Sequence, residues 1–313
     1  MAVIIEKLSA SESFSDFLSA KLLSARFALT MSKDILLSSS AAEKYMDSIR
    51  YQQPPYEPGY SGFDNVFSTR RLGSGTVCTF TPRWISCSKR ILYFYGGGFI
   101  FEPMSEHFRF LDQLAAELRC EITVFCYPLT PTYTYADTYA PAAGLYRSMA
   151  EKYGADNIVL MGDSAGGTIA MTLCGFLRSV GLPAPGGLVC FSPCCDLRLD
   201  NPDIPAYEKD DPVLGAAGQR RICKSWCGAR NMDDPLLNPM CMDVSALPET
   251  LILCGTNELL YPDIRLFVSR AFGKGKLLEV HVYEGMFHAF QLFSLNAAEH
   301  AKKITASWIE ALA

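Results

Sequence analysis

The chain has 313 residues, with 33 acidic and 28 basic side chains and a formal charge of −5. Hydrophobic residues make up 49% and charged residues 19%, enough apolar material for a sizeable core and too much for global disorder. The acidic balance offers no basic field for nucleic acid, and no uninterrupted apolar stretch approaches the roughly 18 residues that a membrane span needs.

The length suits one large α/β domain, or a core with an appended cap. Residues 1–50 read as mostly helical: Phe14, Phe17, Leu18, Leu22 and Leu23 recur at three- and four-residue spacing. They predict either a mobile cap or a helix packed permanently on the core. The start has no basic region followed by a long apolar run, so it does not read as a signal peptide. Pro54, Pro55, Pro58 and Gly59 read as a linker. Two strands follow at 63–71 and 75–81, joined by a turn at Gly73-Ser74-Gly75.

Strands and helices then alternate. The pattern predicts strand 91–95, helix 105–119, strand 121–127, helix 138–153, strand 157–161 and a helix from Ser164 to about 180, then strand 187–192. Residues 197–246, rich in Pro, Asp and Asn with one helix near 216–228, read as an insertion at the carboxyl end of the sheet. Strand 250–254, helix 262–272, strand 277–283 and helix 294–311 complete the series. Such alternation implies a largely parallel sheet with helices on both faces, and ligands in such folds bind beyond the carboxyl ends of the strands. The 12 cysteines show no paired C-x-x-C sets with histidines in register, and Cys126, Cys190 and Cys254 fall inside apolar strand-like runs. Reduced thiols in a cytosolic protein are the expectation.

The chemistry concentrates at Gly162-Asp163-Ser164-Ala165-Gly166-Gly167, directly after the apolar run 158–161. G-x-S-x-G between strand and helix exposes a serine on a sharp turn, and the flanking glycines let strand and helix approach closely. An ester-cleaving serine also needs a base, an acid that orients it and donors for the oxyanion. His288 is the candidate base, the only one of the 4 histidines at the carboxyl end of a predicted strand. Glu258, directly after another strand, is the candidate acid; Asp263, at the start of the next helix, is its rival. Serine, acid, histidine is the chain order of α/β-hydrolases. Tyr95-Gly96-Gly97-Gly98-Phe99 supplies candidate backbone donors at Gly96 and Gly97, joined by the N–H of Ala165. A flexible turn is the plainer reading of the glycines; a phosphate loop would need a Gly-Lys-Ser/Thr that is not there.

With these motifs, from about residue 60 to the C-terminus, the chain resembles the hormone-sensitive-lipase-like branch of the α/β-hydrolases, which includes many bacterial esterases. The resemblance rests on YGGGF at 95–99, YPLTP at 127–131, GDSAGG at 162–167, SPCCDL at 192–197, GTNELL at 255–260 and YEGMFHAF at 283–290. It implies an α/β-hydrolase fold with a mostly parallel eight-stranded sheet, helices on both faces and a helical cap. Residues 1–55 would form the cap, and 56–313 the catalytic domain with a cap-contributing insertion at about 197–246. It further implies a serine carboxylesterase with Ser164 as nucleophile, Glu258 as acid, His288 as base, and Gly96, Gly97 and Ala165 around the oxyanion. Two positions depart from the pattern: Tyr95 stands where the family usually has histidine, and Thr132 where it commonly has glutamate.

The expected partner is a small or short-acyl carboxylic ester, with no cofactor, no metal, no nucleic acid and no integral membrane segment. Family members are often monomers or dimers, so a homodimer stays open. Two other readings also stay open at this stage: a non-catalytic ligand-binding protein on the same fold, for which Tyr95 is the only hint, and a lipase whose N-terminal helix rests on a membrane surface.

Overall fold

The structure, a computed structural model, describes residues 3–9, 33–274 and 278–312. Residues 14–23, which carry the helical pattern near the start, lie outside the described residues. The framework is a sheet with strand order β1-β9-β8-β7-β6-β4-β5-β3-β2. Its strands are β1 (Val3–Ser9), β2 (Val66–Leu72), β3 (Gly75–Thr81), β4 (Arg90–Phe94), β5 (Ile122–Cys126), β6 (Ile158–Asp163), β7 (Gly187–Phe191), β8 (Glu249–Asn257) and β9 (Leu278–Phe287). All neighbours are parallel except β3, which runs antiparallel to both β2 and β5.

The eight strands β2–β9 are those expected. β1 is an addition and a correction: residues 3–9, read as part of a helical segment, pair parallel with β9 over Val3–Ser9. The central strands β5, β6 and β7 are buried at every position, as a parallel sheet covered on both faces requires. Their continuous Val, Ile, Leu, Phe and Cys runs supply that burial, and Cys126, Cys190 and Cys254 sit in the core as free thiols.

The helices are α1 (Lys33–Leu36), α2 (Ser39–Ile49), α3 (Ser105–Leu118), α4 (Tyr135–Tyr153), α5 (Ser164–Ser179), α6 (Ile204–Glu208), α7 (Ala216–Trp226), α8 (Tyr261–Ala271) and α9 (Asn296–Ala311). α2 begins at a Ser38 N-cap whose side chain accepts from the Ala41 N–H. Residues 33–49 and the segment between β7 and β8 meet above the carboxyl ends of the strands. Gly218 and Gly215 permit the contact: a Cβ on either would fall 2.5–2.6 Å from the Leu36 backbone. Arg221 Nε donates to Glu43 Oε1 at 2.6 Å, Ser39 Oγ to the Ala217 carbonyl at 3.1 Å, and Lys33 Nζ to the carbonyls of Glu208 and Asp211.

Candidate active site

β6 ends at Asp163 and α5 starts at Ser164, with no connecting loop. Ser164 takes φ = +52°, a left-handed conformation that costs a non-glycine residue energy and points its side chain away from the strand. The turn is possible because its flanks carry no side chains. A Cβ on Gly166 would stand 2.0 Å from the Phe94 carbonyl oxygen, and one on Gly162 would stand 2.4 Å from that of Gly166. Ser164 opens into a cavity of about 70 Å³ that His288, Gly96, Gly97 and Gly98 also line.

The acid and the base come from the two neighbouring strand ends. Glu258 follows β8, beside an irregularity in its pairing with β9 between Gly255 and Asn257. There a Cβ on Gly255 would fall 2.1 Å from the Met286 carbonyl oxygen. Glu258 is fully buried and its carboxylate is well supplied with donors. Gly255 N–H reaches Oε1 at 3.1 Å, His288 Nδ1 lies 2.8 Å from Oε2, and the Ser192 hydroxyl also bonds it. Ser192 Oγ in turn accepts from the Ala289 N–H at 3.3 Å, joining the acid to the histidine loop. A carboxylate on Nδ1 fixes the proton there, so the neutral ring has a bare Nε2 available as a base.

Burial pushes the Glu258 carboxyl above its ordinary value, against the hydrogen bonds from His288 and Ser192. At His288 burial works to lower the imidazole, but the hydrogen bond and charge of Glu258, with Asp211 and Asp163 beyond, outweigh it and raise it. Burial is the largest single influence on both groups; it prevails at the acid, and at the base the carboxylates together overcome it. The rival acid is elsewhere: Asp263 Oδ1 accepts from Asn201 Nδ2 at 2.8 Å, and Asp263 lines a separate surface hollow with Asp196 and Arg198.

The glycine loop is anchored in a way that changes one expectation. The Gly96 N–H donates to Asp163 Oδ1 at 2.8 Å. It is therefore committed to a protein carboxylate and is not a free oxyanion donor. Gly97, at φ = +124°, takes a conformation open essentially to glycine alone, and it lines the cavity beside Ser164. A side chain there would meet the Phe101 carbonyl oxygen at 2.7 Å.

Asp163 is the organiser that the sequence reading passed over. It is buried, and Tyr93 Oη donates to its Oδ1 at 2.5 Å beside the Gly96 bond. His107 Nδ1 accepts from the Met104 N–H at 3.0 Å, so its Nε2 carries the proton toward Asp163 Oδ2, 3.3 Å away. Burial works against the Asp163 charge, yet the donors of His107, Tyr93 and Gly96 hold the carboxyl below its ordinary value. The sequence signal for Asp163 was an acidic residue in a fully apolar strand end. His107, early in a helix, carries no local signal; only the fold brings it to the carboxylate.

Tyr95 also has a visible role. Its ring stacks on Tyr127 of the YPLTP segment, centroids 4.6 Å apart and planes 16° from parallel. Tyr127 Oη donates to the Tyr95 carbonyl at 2.9 Å. The glycine loop is thus braced by an aromatic pair. Thr132 Oγ1 accepts from the Tyr51 N–H at 3.4 Å, a tie to the linker.

Residues 91–292 match the family described by the α/β-hydrolase fold. The chain belongs to the α/β-hydrolases. An esterase of Acinetobacter venetianus is 26% identical over 211 residues, 67% of this chain and 70% of that protein. An acetyl-hydrolase of Streptomyces hygroscopicus is 24% identical over 247 residues, 76% and 83% of the two chains. A solved hormone-sensitive lipase from a metagenome library superposes with a TM-score of 0.79 at 27% identity, covering 95% of this chain and 98% of that one. The hormone-sensitive-lipase-like resemblance of this α/β-hydrolase is borne out by these relatives. Among the described residues, no helix is long and apolar enough to cross a membrane.

Proposed function

We propose that this α/β-hydrolase is a serine carboxylesterase that cleaves small or short-acyl esters through an acyl-enzyme. Ser164 attacks the carbonyl carbon while His288 Nε2 takes its proton. Glu258 holds the ring and stabilises the imidazolium. The N–H groups of Gly97 and Ala165 receive the oxyanion, and Ala165 lies at the positive end of α5. His288 then protonates the departing alcohol, and water releases the acyl group by the reversed roles. No step in this sequence calls on a cofactor or metal.

The observation that carries the reading is the 2.8 Å contact from buried Glu258 to His288, which shares one cavity with a left-handed Ser164. The small cavity and its apolar lining, which includes Leu36, Phe101 and Leu214, favour short acyl groups. Residues 33–49 and the segment 197–246 act together as the cap, since Leu36, Val213, Leu214 and Gln219 all line the cavity. With ten of the 12 cysteines buried as free thiols, a reducing compartment such as the cytoplasm suits the chain. Covalent labelling by a fluorophosphonate tests the nucleophile: loss of the label in Ser164→Ala supports the reading, and an unlabelled wild type returns the chain to a binding role.

A further inference from the structure

Directly after the glycine loop the chain runs Phe101-Glu102-Pro103, and Glu102 lines the cavity that holds Ser164 and His288. Its side chain reaches solvent from a concave, mostly apolar mouth that contains no lysine or arginine. The ionisable groups that feel its charge are Tyr45 of α2, Tyr56 of the linker, Tyr95, Cys126 and Tyr127, and His107, Asp163 and His288 line the same cavity. The phenols and the thiol are uncharged at neutral pH, and among the described residues no ion pair is made to Glu102 by the two histidines or by any lysine or arginine. The rings of Phe101 and Phe293 stand in the same lining, and aromatic faces attract cations.

We infer that Glu102 makes this mouth a receptor for a cationic group, so that esters carrying an ammonium are favoured over uncharged isosteres and anionic esters are rejected. The inference rests on the esterase reading and adds a substrate class to it. Glu102 is exposed at the rim of this apolar mouth, and a cation held between it and the lining gains an ion pair at short range. The recess also pushes the Glu102 carboxyl up to about 7 by desolvation. The selection therefore strengthens as pH rises from 6 to 8 and the carboxylate forms.

The experiment compares acetylcholine with 3,3-dimethylbutyl acetate, which replaces the charged nitrogen by carbon, for the wild type and Glu102→Gln at pH 8. The expected result is a kcat/KM ratio favouring the cationic ester by about tenfold in the wild type, falling to near one in the variant. Equal ratios in the two proteins would overturn the inference. Calorimetric binding of choline and of 3,3-dimethylbutan-1-ol reads the same selection without turnover. Choline bound more tightly by the wild type alone supports it even if no ester is cleaved, and equal binding of choline by both proteins overturns it.

Discussion

The roles proposed for Ser164, His288 and Glu258 are unequal, and their substitutions separate them. Ser164→Ala removes the nucleophile and lowers kcat by roughly 10⁶-fold, on the scale set by serine proteases. Glu258→Gln keeps the shape but loses the charge that holds the His288 tautomer, and costs roughly 10⁴-fold. Steady-state hydrolysis of p-nitrophenyl butyrate reads both; a loss under tenfold at either position removes that residue from the mechanism. The base must be neutral to work, and Glu258 raises its pKa. Activity should therefore be low in acid and rise with pH, with the midpoint of kcat/KM above the ordinary histidine value near 6.5. A flat profile, or a midpoint well below 6, contradicts the pairing. Asp163→Asn turns a buried acceptor into a group that must face the donors of Tyr93, Gly96 and His107. It should cost about 3 kcal/mol, roughly 5 °C in Tm for a chain of this length, and also slow turnover by loosening the glycine loop. Thermal denaturation and kcat together check it. The three candidate residues stood out in the sequence because each directly follows an apolar strand run. Gly96 was misread because its partner, Asp163, lies 67 positions away and only the fold joins them.

At the level of elements, the sheet was readable because its central strands are buried on both faces and so are apolar at every position. The helices after β4, β6 and β8 were readable from their three- and four-residue spacing. β1 escaped because Val3-Ile4-Ile5 is too short an apolar run to distinguish strand from helix, and its partner β9 lies at the far end of the chain. The turn between β6 and α5 makes a paired prediction. Gly166→Ala forces a methyl onto the Phe94 carbonyl and should destabilise the fold by at least about 3 kcal/mol or prevent soluble expression. Gly144→Ala, on an exposed face of α4 with open space around it, should stabilise by about 0.5–1 kcal/mol. Denaturant unfolding of both variants reads the contrast, and similar effects at the two sites would refute the steric explanation of the turn.

Across the whole molecule, chemistry and selection are proposed to come from different layers. The strand ends hold the groups proposed to react, while α1, α2 and the segment between β7 and β8 close over them through Arg221–Glu43 and the glycine contacts at 215 and 218. The upper layer was the less legible, since no repeat or strong periodicity marks it and its shape depends on contacts such as Leu36 against Gly218. Leu36→Ala should enlarge the cavity and raise the octanoate-to-butyrate ratio of kcat/KM roughly tenfold, in keeping with the free energy of a few methylenes in an apolar pocket. An unchanged ratio would remove that side chain from acyl selection. The most direct measurement is hydrolysis of p-nitrophenyl acetate, butyrate, octanoate and palmitate by the wild type beside folded Ser164→Ala. Turnover strongest on the short chains and abolished in the variant is the predicted result; turnover that survives in Ser164→Ala, or none with any ester from folded wild type, would contradict a serine esterase.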